Sequence, residues 1–289
     1  MKKVFLVSLA VVGLIGSLNA TPIVTTASND ANALAQALIG SGITVSNATL
    51  VGGYQSSGTY VGGNEAQGNA FLSNGIVLSS GYVTNLNTNG LNTSTGITGD
   101  LGINGSPILD KLIPGFTTYD ATILSFDFVA EGDPGSTVTS SFQYVFGSDE
   151  YNEYVNTQFN DVFGFFLDGT NLNNNIALIP GTSTPVSINN VNLGANSSYY
   201  TNNETGNPIG SEMDGMTIPL YTQFQVSANQ THHLDLAIAD AGDHILDSWV
   251  LIGGESFVPH SVPEPGTISL LGFGLLSLLG CGLFRRKKN

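Results

Sequence analysis

Cysteine and positive charge are the scarce components of this 289-residue chain. A single cysteine, Cys281, leaves no partner for an intramolecular disulfide. A small secreted domain would need such staples, but a body of about 240 residues buries enough surface without them. Lysine and arginine total seven, and six of these (Lys2, Lys3, Arg285, Arg286, Lys287, Lys288) stand at the two ends. Between residues 21 and 261, 21 acids face the one remaining base, Lys111, which leaves a net charge of −20. Such a surface repels nucleic-acid phosphates and anionic lipid, so both partner classes are excluded. It favours divalent cations, which would relieve the self-repulsion of the compact state. The chain also lacks a G-x-S-x-G elbow, a phosphate loop, a dinucleotide fingerprint and an H-E-x-x-H zinc pair. No repeat of 20–50 residues is present, which argues against a solenoid or propeller.

The ends read as addresses. Met1-Lys2-Lys3 followed by apolar Val4–Leu18 and small Ala20 has the order of a signal peptide, residues 1–20, cleaved before Thr21. Leu18 is larger than the residue usual there, and a retained N-terminal anchor is the alternative. Near the other end, Val262-Pro263-Glu264-Pro265-Gly266 is a turn, Thr267–Phe284 is a run of 18 residues without a charge, and Arg285–Lys288 is a cationic stop. At about 1.5 Å per residue the run reaches roughly 27 Å, close to the ~30 Å hydrocarbon core, so a transmembrane helix is expected at about 267–284. Four adjacent cations stay on the cytoplasmic side. This tripartite pattern resembles the PEP-CTERM sorting signal of Gram-negative bacteria. The resemblance implies that Pro263, Glu264 and Pro265 are recognised by exosortase, that the tail bearing Arg285 and Arg286 is removed, and that the protein passes from a membrane-anchored precursor to the cell surface or extracellular matrix. A plain tail anchor is the competing reading. Cys281 lies in the apolar run and would leave with it.

Between the ends the composition predicts an all-β fold, with Gly, Asn, Ser and Thr crowding the turns between short apolar runs. One helix is expected, Ala31–Ile39, capped by Asn29-Asp30 and ended by Gly40. Strands are expected at Ile43–Val51, Gly75–Ser80, Thr122–Val129, Thr137–Phe146, Val162–Leu167, Ile176–Ile179, Val186–Val191, Gln223–Val226, Leu234–Ala239 and Trp249–Ile252. In the fourth of these Val138, Phe142, Tyr144 and Phe146 share a face at period two. Many strands and one short helix in one chain predict a β-sandwich or jelly-roll-like domain over residues 21–257, followed by a linker and sorting signal over 258–289.

Three blocks concentrate polar chemistry. They are Phe146-Gly147-Ser148-Asp149-Glu150-Tyr151 continuing to Asn160-Asp161-Val162, then Asn175–Asn192, then His233–Ser248. Together with Gly75-Ile76-Val77-Leu78-Ser79-Ser80-Gly81, and in this order, they resemble the choice-of-anchor L domain, a bacterial surface module found joined to different C-terminal anchors. The resemblance spans most of residues 28–257 and implies a surface location. The Ser148-Asp149 pair departs from it, since a second small residue and Glu are expected there; the acidity is kept.

Asp240, Asp243 and Asp247 fall within eight residues, and Asp149, Glu150 and Asp161 lie in or beside one long connection. Hard divalent cations take six to eight oxygen ligands, so these six acids form a candidate calcium site, with Asn175, Asn189 and Asn192 as further oxygen donors. The D-x-x-D-x-x-x-D spacing is not an EF-hand loop, and no His/Cys spacing favours zinc. The competing reading makes the aspartates turn formers and backbone caps. A pair such as Asp149 or Glu150 with Asp240 or Asp243 would also suit a carboxylate-dependent hydrolase acting on polysaccharide. Of the histidines in the body, one of His232 and His233 is expected to face solvent, and His244 is expected to hydrogen-bond among aspartates. The reading adopted is a non-enzymatic, exported structural or adhesive protein, stabilised by calcium and contacting exopolysaccharide or other surface proteins, with no other cofactor. In its native host, the mature protein should lack residues beyond about Pro265 and lie outside the inner membrane, by intact mass and fractionation; only full-length chain in the inner membrane would leave a tail anchor.

Overall fold

The computed structural model describes residues 22–63, 72–87, 91–204 and 209–260. The expected signal peptide, Pro263-Glu264-Pro265, the apolar run 267–284 with Cys281, and the basic cluster Arg285–Lys288 lie outside them. Among the described residues no helix is long and apolar enough to cross a membrane.

Two antiparallel sheets face each other. In the larger, β1 (Val24–Ala27) pairs with β3 (Ser57–Val61), then β4 (Asn74–Ser79), β12 (Ser248–Gly253) and β6 (Thr137–Ser148) follow in order. The long β6 carries two partners on each edge: β12 and β13 (Val258–His260) on one, β10 (Leu220–Ser227) and β9 (Gly215–Thr217) on the other. A short β8 (Tyr200–Asn202) closes the sheet beyond β9. The smaller sheet runs β2 (Ile43–Val51), β5 (Thr118–Ala130), β11 (Thr231–Ala241), β7 (Val162–Leu167). The all-β sandwich expected from the sequence is the observed fold.

The alternation of side chains builds the core. Val138, Phe142, Tyr144 and Phe146 of β6 do share one face, and it lies between the sheets against Phe163 and Phe165 of β7 and Phe126 and Phe128 of β5. β10 alternates buried and exposed residues along its length, as a strand with one solvated face should. β12 is buried at every position because its outer face is also covered, with Trp249 and Leu251 packing under Val83, Leu86 and Met213. On the outer face of the small sheet, α2 (Pro107–Asp110) helps cover Val162, Phe166 and Ala237.

The helix α1 (Ala31–Leu38) begins where Asp30 accepts from the Ala33 N–H at 3.0 Å, and it buries Leu34, Ala35 and Leu38. Its end lies by the starts of β2 and β4 and the end of β5, where the Glu255 N–H donates to Ala37 O and the Glu131 N–H to Gly42 O. The opposite end of the sandwich is formed by the ends of β4, β6 and β11 and the starts of β5, β7 and β12.

Two expected strands are corrected. Residues 176–179 and 186–191 form only isolated bridges, Leu178 with Pro185 and Val162 with Ser187. Pro180 and Pro185 remove two ladder donors there, and Asn side chains take over the backbone pairing. The short β1, β3, β8, β9 and β13 had no clear period-two run and were not anticipated. Phe163 is fully buried, with the rings of Tyr144, Phe146 and Phe165 each centred 5.1 Å away. Phe163→Ala should therefore cost about 3–5 kcal/mol in urea unfolding, whereas Tyr221→Ala on the exposed face of β10 should cost under about 0.5 kcal/mol.

Candidate functional site

The end of the sandwich opposite α1 gathers the acids. Along β11, Leu234, Leu236 and Ile238 point between the sheets, and the same alternation turns Asp240 inward beside the start of β7. Asp161, the residue before β7, meets it there. One Asp161 oxygen accepts from the Ala241 N–H at 2.8 Å and the other from the Ser248 hydroxyl at 2.7 Å. Glu150 follows β6, its N–H donating to the Ser148 hydroxyl at 2.9 Å. Asp161, Asp240 and Glu150 are each at most 1% exposed. Glu150 Oε2 and both carboxyl oxygens of Asp240 meet no hydrogen-bond donor in good geometry, although the Ser80 hydroxyl lies beside Asp240.

Asp149 and Asp247 lie on the other side of the large sheet, because consecutive residues of a strand face opposite ways. They sit on the face that carries Val145, Trp249 and Leu251. The Ile97 N–H donates to Asp149 Oδ2, and the Gly99 N–H to Asp247 Oδ1 at 2.9 Å. The Asp247 carboxylate lies directly on Gly81, where any Cβ would overlap its Oδ2. That close approach accounts for the glycine after Ser80 in the Gly75–Gly81 segment.

Burial without countercharge dominates the electrostatics. Desolvation pushes Asp149 up to about 8, with neighbouring Asp214 and Asp247 adding to the rise and the Ile97 N–H opposing it. Glu150 is pushed up to about 10 by desolvation and then by Asp161, Asp243 and Asp149. Desolvation also raises Asp161 to about 7 and holds Asp240 well above the ordinary carboxylate value. Asp247 rises to about 7 for the same first reason, against the opposing Gly99 N–H. Lys111, the single base of the body, donates instead to Thr170 O at 3.0 Å on the surface. Buried carboxyls without a lysine or arginine must hold protons or a cation.

The six acids singled out in the sequence thus reach one end of the fold, but not one pocket. Glu150, Asp161 and Asp240 lie on the inner side of the large sheet, Asp149 and Asp247 on the outer. Asp243 is half-buried, accepts from the Ile245 N–H at 3.1 Å, and lines a cleft of about 60 Å³ with Glu150, Tyr154, Phe159, Ile245 and Leu246. The three asparagines are committed elsewhere. Asn175 Oδ1 accepts from the Phe165 and Ala177 N–H groups, Asn189 Oδ1 from Asn156, and Asn192 Oδ1 from Gly194 and Ala195. They substitute for ladder partners in an irregular segment. His233 is the solvent-facing member of its pair at 46% exposure, bonded to Asp127 at 2.7 Å, while His232 at 12% bonds Asp168 at 2.7 Å. His244 Nδ1 lies 3.0 Å from Asp120 Oδ2 and 3.9 Å from Asp100 Oδ1, a grouping of ligating side chains. Asp100, Asp120, Glu212 and Asp214 were not among the acids singled out in the sequence, since they lie far along the chain from Asp149, Asp161 and Asp240 and only the folded chain brings them to this end.

Residues 23–258 match the choice-of-anchor L domain. The chain belongs to that family. As a choice-of-anchor L protein it also carries a PEP-CTERM protein-sorting motif at residues 261–288, the signal that exosortase processing recognises. It is therefore an exported, surface-associated protein with a membrane-anchored precursor. No curated protein and no solved structure matches the chain.

The raised carboxyls give the choice-of-anchor L domain a pH signature. The folded chain keeps protons that the unfolded chain releases near pH 4, so this contribution to stability is full below that pH. It is lost as pH rises through about 7 for Asp161 and Asp247, about 8 for Asp149 and on towards about 10 for Glu150. In EDTA the melting temperature should be higher at pH 5 than at pH 8; an unchanged or rising curve over that window would show that these groups are ionised at no cost.

Proposed function

We propose that this exported domain serves a structural or adhesive role at the cell surface or in the extracellular matrix, and that calcium completes its acid-rich end. The observation that carries the calcium reading is the set of buried oxygens without donors on Glu150 and Asp240, flanking Asp161. Asp161 repels both Glu150 and Asp240. A hard divalent cation turns that repulsion into ligation, whereas a proton satisfies one oxygen at a time. Asp243, at the mouth of the cleft beside Glu150, supplies an entry path from solvent. Adhesion is supported by the surface destination and by exposed aromatics such as Tyr54 and Tyr221, which suit stacking on sugar rings. Exopolysaccharide and other surface proteins are the partners this reading expects.

A second reading rests on Glu150 itself. A carboxyl held protonated at neutral pH and lining a cleft with Asp243 has the character of a general acid, as a polysaccharide hydrolase requires. The cleft, at about 60 Å³, is far below the roughly 300–1,000 Å³ of ordinary ligand pockets, and Asp240 does not line it. Structure and binding are therefore preferred to turnover.

Extracellular calcium modules commonly bind at 10⁻⁴–10⁻³ M, so ~10 mM calcium should add roughly 1.5–3 kcal/mol and raise the melting temperature by about 3–10 °C. The rise should persist in ~0.5 M NaCl, where general charge screening is already strong. Asp240→Asn should melt higher than the native chain in EDTA, having no carboxyl to protonate, and respond much less to calcium. Melting curves indifferent to calcium and EDTA would return these acids to a purely structural role. On a broad glycan and ester panel, turnover that disappears in Glu150→Gln while the fold is kept would establish the hydrolase instead.

A further inference from the structure

Near the start of β5, two other parts of the chain close over Asp120. The Asp120 N–H donates to Ile103 O at 3.1 Å and the Ala121 N–H to Asn104 O at 3.2 Å, which ties the segment 100–104 to the strand. The connection from β11 to β12, residues 242–247, is tied to the residues just before that segment. The Asp247 N–H donates to Ile97 O and the Leu246 N–H to Thr98 Oγ1, each at 3.1 Å. Asp100, Asp120 and His244 thereby meet, and one ligating atom from each lies within 4.8 Å of the other two.

The three side chains are oriented from behind. Asp120 is fully buried, its Oδ1 accepting from the Ile103 N–H at 2.8 Å and its Oδ2 from the Leu101 N–H at 3.1 Å. Each carboxylate oxygen has two lone pairs, so one on each stays available. Asp100, 65% exposed, takes the Gly102 N–H on Oδ1 at 2.9 Å. The His244 ring lies against Tyr119, with centroids 4.6 Å apart. Its Nδ1 is withdrawn from water and makes no hydrogen bond in good geometry, although Asp120 Oδ2 is 3.0 Å away and Asp100 Oδ1 3.9 Å. A charged histidine held by two aspartates would aim its N–H at one oxygen; this nitrogen stands among them without doing so.

Such spacing suits atoms that share an ion. At zinc bond lengths of about 2.0–2.2 Å, the two separations from Nδ1 subtend about 90° and about 135°, on either side of the tetrahedral angle. We propose that His244, Asp120 and Asp100 bind a zinc ion, and that this ion clasps the segment 100–104 and the connection 242–247 onto the start of β5. Donor chemistry selects the metal. An imidazole nitrogen suits zinc, whereas calcium takes six to eight oxygens, and two carboxylates with a neutral imidazole balance the charge of one divalent ion. Three protein ligands leave a fourth position for water, on the side where Asp100 and His244 reach solvent. None of the three belongs to the Glu150–Asp161–Asp240 group, so the site does not depend on the calcium reading. Its ligands come from three distant parts of the chain, which is why no short His/Cys spacing announced it.

The test is zinc binding to the untagged full-length protein in detergent, with excess calcium present throughout to occupy sites built of oxygen alone. Equilibrium dialysis should find one tightly held zinc ion per native chain, and zinc should slow amide exchange over residues 242–247 by at least about tenfold. His244→Ala removes a partly exposed ring and leaves the backbone bonds to Asp120 in place, so it should fold while losing both the ion and the protection. Asp100→Asn, on the surface, should weaken zinc binding at least about tenfold and serves if His244→Ala does not fold. His233→Ala should keep the ion, and so should Asp240→Asn, whose calcium response tests the separate reading. Equal zinc in the native chain and His244→Ala, or in Asp100→Asn where the former does not fold, would overturn the proposal. So would zinc binding that leaves exchange over 242–247 unchanged.

Discussion

Burial of negative charge at the strand ends is the constraint around which this molecule is organised. Asp149, Glu150, Asp161, Asp214, Asp240 and Asp247 are all withdrawn from water, and Lys111 lies on the surface donating to a carbonyl. An ionised carboxylate moved into a low-dielectric interior without compensation is far more costly than a whole domain is stable. The compensation in place comes from backbone N–H groups of Ile97, Gly99 and Ala241 and from the Ser248 hydroxyl. These are dipoles, and they satisfy one oxygen of most acids but not two. The remaining oxygens must take protons or a cation, which ties the stability of the domain to the medium outside the cell.

The two ends of the sandwich meet different demands. At the α1 end, Leu34, Leu38 and Phe257 extend the apolar core, and packing together with backbone bonds such as Phe257 N–H to Leu38 O closes the sheets. At the acid end the strands finish in small buried hydroxyls, Ser80, Ser148 and Ser248, which leave room for carboxylates and supply or receive hydrogen bonds. Between the ends, the rings of Phe142, Tyr144, Phe146, Phe163 and Phe165 contact one another at centroid distances of 5.1–5.2 Å, which fixes the spacing of the sheets. That rigid centre holds charged groups on β6, β7, β11 and β12 in register at the end where they repel. A looser core would let the strand ends splay apart and admit water.

This division fits a protein carried to the cell surface. Export delivers a chain of high negative charge, which attracts divalent cations. On the calcium reading proposed above, the domain would gain stability on meeting such cations and tighten after export. The PEP-CTERM segment supplies delivery, while the sandwich supplies whatever the surface needs of it.

Fold class and most strands follow from local rules that the sequence obeys. The period-two pattern of Val138–Phe146, the apolar run Val162–Leu167 and the Asp30 cap of α1 are decided by side-chain direction and local hydrogen bonding, which neighbouring residues suffice to set. The acids around Asp149 and Asp240 were also visible, because they cluster along the chain. Tertiary structure alone decided which of them meet. Asp149 and Glu150 are adjacent in sequence yet lie on opposite sides of a sheet, since alternation is a property of the strand and its partners. Asp214 and Asn203 come beside Asp149 through ladder register across β6, β9 and β8, and Asn92 joins them by donating to Asp214, all at separations of 50 residues or more from Asp149 that no local pattern encodes. Likewise Asn175 and Asn192 had the chemistry of ligands and became backbone partners, their side-chain oxygens accepting from the N–H groups of Phe165, Ala177, Gly194 and Ala195 in a segment that forms no regular ladder.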